Sequence, residues 1–325
     1  MFTRALKLIV FLTLGAASTV AAQAPDTGAL TAERRQAVVD SIGKSMKIMY
    51  VFPDVAARMD ADLQSRLENG EFDKVSDASE FAEMLTRDLQ AISHDKHVRV
   101  RVVASDPVSG PAGGSGKRSK IFGRAERMAG DIGYIEILSF GAPPETVREE
   151  AARIMSSLAD AKALIVDLRA NEGGSPFTVA LLSSYLFGPK PVHLNSLYFR
   201  QLDRTDDLYT DPTVPGTRFG PEKPVYVLTS ARTFSAAEEF AYNLQTRKRA
   251  TIVGETTAGG ANPGRGVLLP CDLTVFVPTG REINPITKTN WEGVGVKPDV
   301  AVPGDEALDV AHRLAQKAAG VTDAQ

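Results

Sequence analysis

The chain has 325 residues, a formal net charge of −3 and a single cysteine. One cysteine excludes an internal disulfide framework, and beside only four histidines it leaves no Cys/His zinc cluster. The balance of 37 basic and 40 acidic side chains, without long basic runs, excludes a general nucleic-acid binder.

Residues 1–22 read as a secretory signal peptide. Arg4 and Lys7 precede an apolar run over residues 8–17, and small residues Val20, Ala21 and Ala22 come before Gln23. The run is too short to span a bilayer, so no integral membrane segment is expected after cleavage. Residues 23–95 read as a helical domain. Thr31 caps a first helix reaching about Met49, with Ile42, Met46 and Met49 at helical spacing. Pro53 opens a second helix, which stops near Asn69 and Gly70. A third starts after Ser76 and carries Phe81, Leu85, Leu89 and Ile92 on one face.

Residues 96–320 read as an α/β domain. Residues 97–103 alternate as a strand, and the Gly-, Ser- and Pro-rich stretch 105–120 reads as an exposed, flexible connection. Strands are then predicted at 132–138, 163–168, 225–228, 250–253 and 273–277, with a further one opening at His193. Helices are predicted at 145–158, 179–186, 236–245 and 306–316. Short buried strands separated by helices imply a layered α/β unit with a largely parallel core.

Two strand-to-helix turns could carry chemistry. The first, residues 167–174 (DLRANEGG), follows a buried strand; Gly173 and Gly174 let backbone N–H groups approach a ligand, as in an oxyanion hole, or simply make a tight turn. The second, residues 233–239 (TFSAAEE), sets Ser235 at a helix N-terminus, with the Ala236 amide beside it. Ser235 and Glu238 also form a capping box, the ordinary way to start a helix. A serine nucleophile needs a base, and the candidates are His94, His97, His193 and His312, with Lys248 and Lys288 as alternatives. His97 can face the junction between the helical and α/β parts. Glu292, in a glycine-bordered loop, is either an acid that orients the base or a solvated loop charge.

Several ordered phrases resemble the tail-specific (C-terminal processing) protease superfamily: DLRANEGG at 167–174, FSAAEE at 234–239, RATIVG at 249–254 and GVGVKPD at 293–299. The phrases YVFPDVA at 50–56 and SHDKH at 93–97 resemble its branch of interphotoreceptor retinoid-binding-protein modules and tricorn core-type peptidases. The resemblance spans roughly residues 31–103 and 130–315. It implies a helical N-terminal domain plus a crotonase/ClpP-like ββα superhelical catalytic domain. It further implies Ser235 as nucleophile, His97 as base, Glu292 as the orienting acid, and Gly173 or Gly174 with Ala236 as the oxyanion-binding backbone.

The lysine base of the tail-specific branch is replaced by Gly260, and the serine that precedes the histidine in the tricorn-like branch is replaced by Lys96. No segment resembles a PDZ insertion. The expected activity is an exported, periplasmic or secreted serine peptidase acting on peptides or unfolded proteins, without metal or organic cofactor. The alternatives are an apolar-ligand binding module on the same fold, or an esterase.

Overall fold

The computed structural model describes residues 30–103 and 120–320; the expected signal at 1–22 and nearly all of the expected 105–120 connection lie outside them. Three helices come first: α1 (Ala32–Met49), α2 (Pro53–Glu68) and α3 (Ala78–Ser93). Their starts follow from local chemistry. Thr31 Oγ1 accepts the Arg34 N–H at 3.4 Å, Pro53 occupies the first position of α2, and Asp77 accepts the N–H groups of Ser79 and Glu80 at 2.9 Å. α3 ends at His94, which takes the left-handed conformation with φ 55°.

The chain continues through β1 (Arg99–Val102), β2 (Phe122–Met128), β3 (Ile132–Ile137), α4 (Pro144–Leu158), β4 (Ala163–Asp167) and α5 (Pro176–Ser183). Next come β5 (His193–Phe199), β6 (Arg204–Tyr209), β7 (Val225–Thr229), α6 (Ala236–Thr246), β8 (Thr251–Gly254), β9 (Gly264–Leu269) and β10 (Leu273–Pro278). β11 (Gly280–Ile283), β12 (Val300–Ala301) and α7 (Ala307–Ala318) complete it. The expected helix at 179–186 starts earlier and ends in a 3-10 turn, Ser184–Leu186, and the final helix is displaced from 306–316 to Ala307–Ala318.

A six-stranded sheet in the order β12-β8-β7-β4-β3-β2 forms the centre, parallel throughout except for the β2–β3 pair. Its parallel strands are covered on both faces, which is why β4 opens with the continuous apolar run ALIV. Leu164 and Val166 face a core shared with α4, α5 and α6, while Ala163 and Ile165 face α7. Ala307, Ala311 and Ala315 line one face of α7, and these small side chains admit Tyr134, Tyr226 and Leu228 from the sheet.

The helical lobe does not close its core alone. Val38, Ile42 and Met46 of α1, Met59 and Leu63 of α2, and Phe81, Leu85 and Leu89 of α3 pack with Val98, Val100, Leu273, Val275 and Val277. The last three belong to β10, the middle strand of an antiparallel sheet β1-β10-β9. The helical lobe's core therefore draws on chain beyond residue 96.

A third sheet, β11-β5-β6, meets α6 through buried polar groups. Asn284 Nδ2 donates to Asn243 Oδ1 at 3.1 Å, and Asn195 Nδ2 donates to the Glu282 carboxyl. Burial holds the Glu239 carboxyl well above the ordinary carboxylate range. Burial does the same to Glu282, helped by the nearby Glu239.

Two outcomes follow for stability. Leu273 is fully buried, so Leu273→Ala is expected to lower the unfolding free energy by about 2–5 kcal/mol, read from urea denaturation. For Glu239, the folded chain keeps a proton that the unfolded chain releases near an ordinary glutamate pKa of about 4.3. That stabilisation is present below this pH and is lost as pH rises toward the raised folded value. Glu239→Gln, with no proton to lose, should show a shallower fall in stability than the wild type between pH 5 and 8; an equal or steeper fall would contradict this.

Candidate active site

β4 and β7 lie side by side and parallel, so the turns leaving their carboxyl ends meet. In open α/β sheets that edge is where ligands bind. The two turns are fastened together by backbone and hydroxyl groups. Thr233 Oγ1 donates to Leu168 O (2.9 Å), Ser230 Oγ to Arg169 O (2.7 Å), and Phe234 N–H to Asn171 O (3.1 Å). Asn171 is fully buried; its Nδ2 donates to Ile137 O at 2.9 Å, and its Oδ1 accepts the Gly173 N–H at 2.8 Å.

Ser235 stands at the junction of this turn and α6 with φ 56° and ψ −124°. A non-glycine residue at such a φ carries strain of about 1–3 kcal/mol, tolerated only where the surroundings over-determine it. The over-determination comes from Glu238. Its buried carboxylate accepts the N–H of Ser235 (2.8 Å), the N–H groups of Gly259 (2.6 Å) and Gly260 (2.8 Å), and the Thr257 hydroxyl (2.5 Å). The Glu238 half of the capping box is therefore present, and it also ties the serine to the 257–260 loop. Burial raises the Glu238 pKa, while the four donors oppose the rise.

His97 Nε2 lies 3.0 Å from Ser235 Oγ. Of the four histidines, His97 is the one brought to the serine. His94 caps α3, His193 Nε2 is 3.0 Å from Ser196 Oγ, and His312 Nε2 is 2.8 Å from Ala129 O. Lys248 follows the far end of α6, about 16 Å from its start for 11 residues, and lines a charged depression with Glu222, Lys223 and Arg249.

The imidazole is packed against two phenyl rings. Its centroid is 4.5 Å from that of Phe234 and 5.8 Å from that of Phe276 on β10, the latter stacked at 28°. Gly260 makes room for this packing. A Cβ there would lie 2.2 Å from the Phe234 ring and 2.8 Å from His97 Cε1. The Lys96 side chain points to the neighbouring loop, where Nζ donates to Ala258 O at 2.6 Å.

Behind the imidazole lie two carboxyl groups. Asp95 Oδ1 is 3.6 Å from His97 Nδ1 and accepts the His97 backbone N–H at 2.9 Å. Glu292 Oε2 accepts the Ala261 N–H at 2.5 Å. Candidate ligand atoms of Asp95, His97 and Glu292 lie within 4.8 Å of one another, the one cluster with possible metal-ligand spacing among the described residues. Burial first, and then the charge of Asp95, pushes the Glu292 pKa up to about 8. Burial, then Asp95 and Glu292, raises that of Tyr50, whose hydroxyl is 3.4 Å from Asp95 Oδ2.

The glycine turn abuts the serine. A Cβ on Gly173, at φ 107°, would lie 2.8 Å from Ser235 Cβ and 3.0 Å from Ala236 N. The Gly173 amide is occupied by Asn171, whereas the amides of Gly174 and Ala236 have no acceptor among the described residues. Sequence reasoning singled out Ser235, His97, Glu292, Gly173, Gly174 and Ala236, and all six converge here. It missed Asp95, Phe276 and Asn262, whose Nδ2 donates to Asp95 Oδ2 at 2.9 Å. Asp95 was visible only as part of the phrase SHDKH.

Two family models match the chain. Residues 131–302 match peptidase family S41, and residues 29–126 match the N-terminal domain of that family in eukaryotic interphotoreceptor retinoid-binding protein. A carboxy-terminal-processing protease from Bartonella bacilliformis is 27% identical over 180 residues, which are 54% of this chain and 40% of that protein. The photosystem II D1 C-terminal processing protease superposes with a TM-score of 0.55 at 16% identity, covering 89% of this chain and 98% of that one. The tricorn protease gives 0.57 at 14% identity, covering 89% and 37%. Among the described residues, no helix is long and apolar enough to cross a membrane.

The tight packing at residue 260 makes a testable statement. Gly260→Ala should displace Phe234 and His97 and slow modification of Ser235 by a fluorophosphonate about 10²-fold, the scale of an ångström-sized misplacement. A rate within threefold of wild type would show that the ring packing does not position the imidazole.

Proposed function

We propose that this chain, which belongs to peptidase family S41, is an exported serine-type peptidase that cleaves short peptides or unfolded proteins through Ser235 and His97. The observation that carries the reading is the 3.0 Å separation of His97 Nε2 from Ser235 Oγ. An Nε2 placed to accept the hydroxyl hydrogen requires the proton of a neutral ring to sit on Nδ1. Ser235 Oγ attacks the peptide carbonyl while its proton passes to Nε2, and the imidazolium then protonates the leaving amine. The acidic support comes from behind the ring, where Glu292 and Asp95 lie. The negative oxygen of the tetrahedral intermediate is received by the amides of Ala236 and Gly174, near the positive end of α6.

A strained serine, an imidazole in hydrogen-bond range and two amides without an acceptor favour hydrolysis over simple ligand binding. Export rests on the basic, apolar and small-residue pattern of residues 1–22. The substrate class rests on the family and on the resemblance to processing peptidases.

The test is peptide cleavage by residues 23–325 against the Ser235→Ala variant, read by mass spectrometry. Loss of the nucleophile should cost about 10⁴-fold or more. Cleavage by both proteins, or by neither across varied peptides, would count against this reading, and binding of an apolar fluorescent ligand without any cleavage would point to the binding module.

A further inference from the structure

The carboxyl groups behind His97 are not equivalent. With Nε2 directed at Ser235, Nδ1 carries the ring proton, yet it is buried without a hydrogen-bond partner. Its nearest carboxylate oxygen is Asp95 Oδ1 at 3.6 Å, and a shift of about half an ångström brings it into hydrogen-bond range. Asp95 is held by the turn that it makes itself. α3 ends in the left-handed His94, and the Asp95 carboxylate then accepts the backbone N–H of His97.

Two carboxyls this close disfavour a second negative charge. The donors around them decide which one carries the first. Asp95 is 1% exposed and faces three donors: the His97 N–H at 2.9 Å, Asn262 Nδ2 at 2.9 Å and the Tyr50 hydroxyl at 3.4 Å. Glu292 takes the Ala261 N–H on Oε2, and the neighbouring Asn262 backbone N–H also favours its charged form, but its Oε1 is buried without a partner. Donors favour the charged form, and a buried charged oxygen without one is costly. The other charged or titratable groups around the pair are His97, Tyr50, Glu238 and Lys96.

We infer that Asp95, rather than Glu292, carries the negative charge that positions His97 and stabilises its imidazolium, while Glu292 is held as the neutral acid. The inference rests on the serine peptidase reading for its catalytic meaning. No extra proton moves: one passes from Ser235 Oγ to Nε2, the Nδ1 proton stays on the ring, and Asp95 remains a carboxylate. Burial beside Asp95 lifts Glu292 in the same sense. Asp95 is thus a positioning residue.

The experiment reads the two groups in folded Ser235→Ala protein, where no turnover is needed. A difference infrared spectrum at about pH 7, with and without Glu292→Gln, should show loss of a protonated carboxyl band; loss of an ionised carboxylate band overturns the inference. This arm keeps Asp95 intact and decides the matter even where Asp95→Asn does not fold. By NMR, Asp95→Asn should lower the midpoint of the His97 imidazole titration by about one unit or more, and Glu292→Gln by less than half as much. The reverse ranking overturns it. In the active chain, Asp95→Asn should slow fluorophosphonate modification of Ser235 by about 10³–10⁴-fold, at least ten times more than Glu292→Gln does. An unreactive wild type would sink the peptidase reading instead, leaving the infrared and NMR arms to judge Asp95 alone.

Discussion

His97 and Ser235 are 138 residues apart in sequence, and their contact depends on the antiparallel pairing of β1 with β10. His97 lies two residues before β1, and Phe276 of β10 pairs with Arg99 while stacking on the imidazole. The same β10 supplies Leu273, Val275 and Val277 to the core of the helical lobe. One strand pairing therefore sets the position of the ring and closes the apolar core that holds it. The serine rests on separate ground, the turn between β7 and α6 over the central sheet.

The two halves are then joined by polar groups that leave little slack. Glu238 gathers four donors from the serine turn and the 257–260 loop. That loop is fixed in turn to the 291–296 segment: Trp291 Nε1 donates to Gly260 O at 2.8 Å, and the Val296 N–H donates to Thr257 Oγ1 at 2.7 Å. Gly260 is the narrow point. The rings that occupy its Cβ space are those of Phe234, in the turn before α6, and His97, so the missing side chain at 260 and the presence of His97 are two sides of one packing solution.

Much of this was legible in sequence, and the limits have physical causes. The apolar run ALIV marked a strand buried on both faces, and the phrase after it marked a glycine turn that a Cβ would obstruct. Ser235 could be placed at the start of a helix by its capping box, but the box alone does not separate a cap from a nucleophile. The family phrases selected His97 among four histidines. Asp95 escaped because its role comes from a left-handed helix end that folds its carboxylate back toward the ring, a feature without periodicity. β2 (FGRAERM) and β6 (RTDDLY) escaped because they are mostly exposed and too polar to alternate. Phe276 and Asn262 needed the tertiary register between distant strands.

The order of these pieces along the chain has a consequence for biosynthesis. A nascent polypeptide that stops short of residue 273 already holds His97, the glycine turn and Ser235, but it lacks the strand against which the imidazole is registered and the ring that stacks on it. Its helical lobe also lacks part of its apolar core. The geometry that brings His97 to Ser235 is thus among the last features that the chain acquires as it is made.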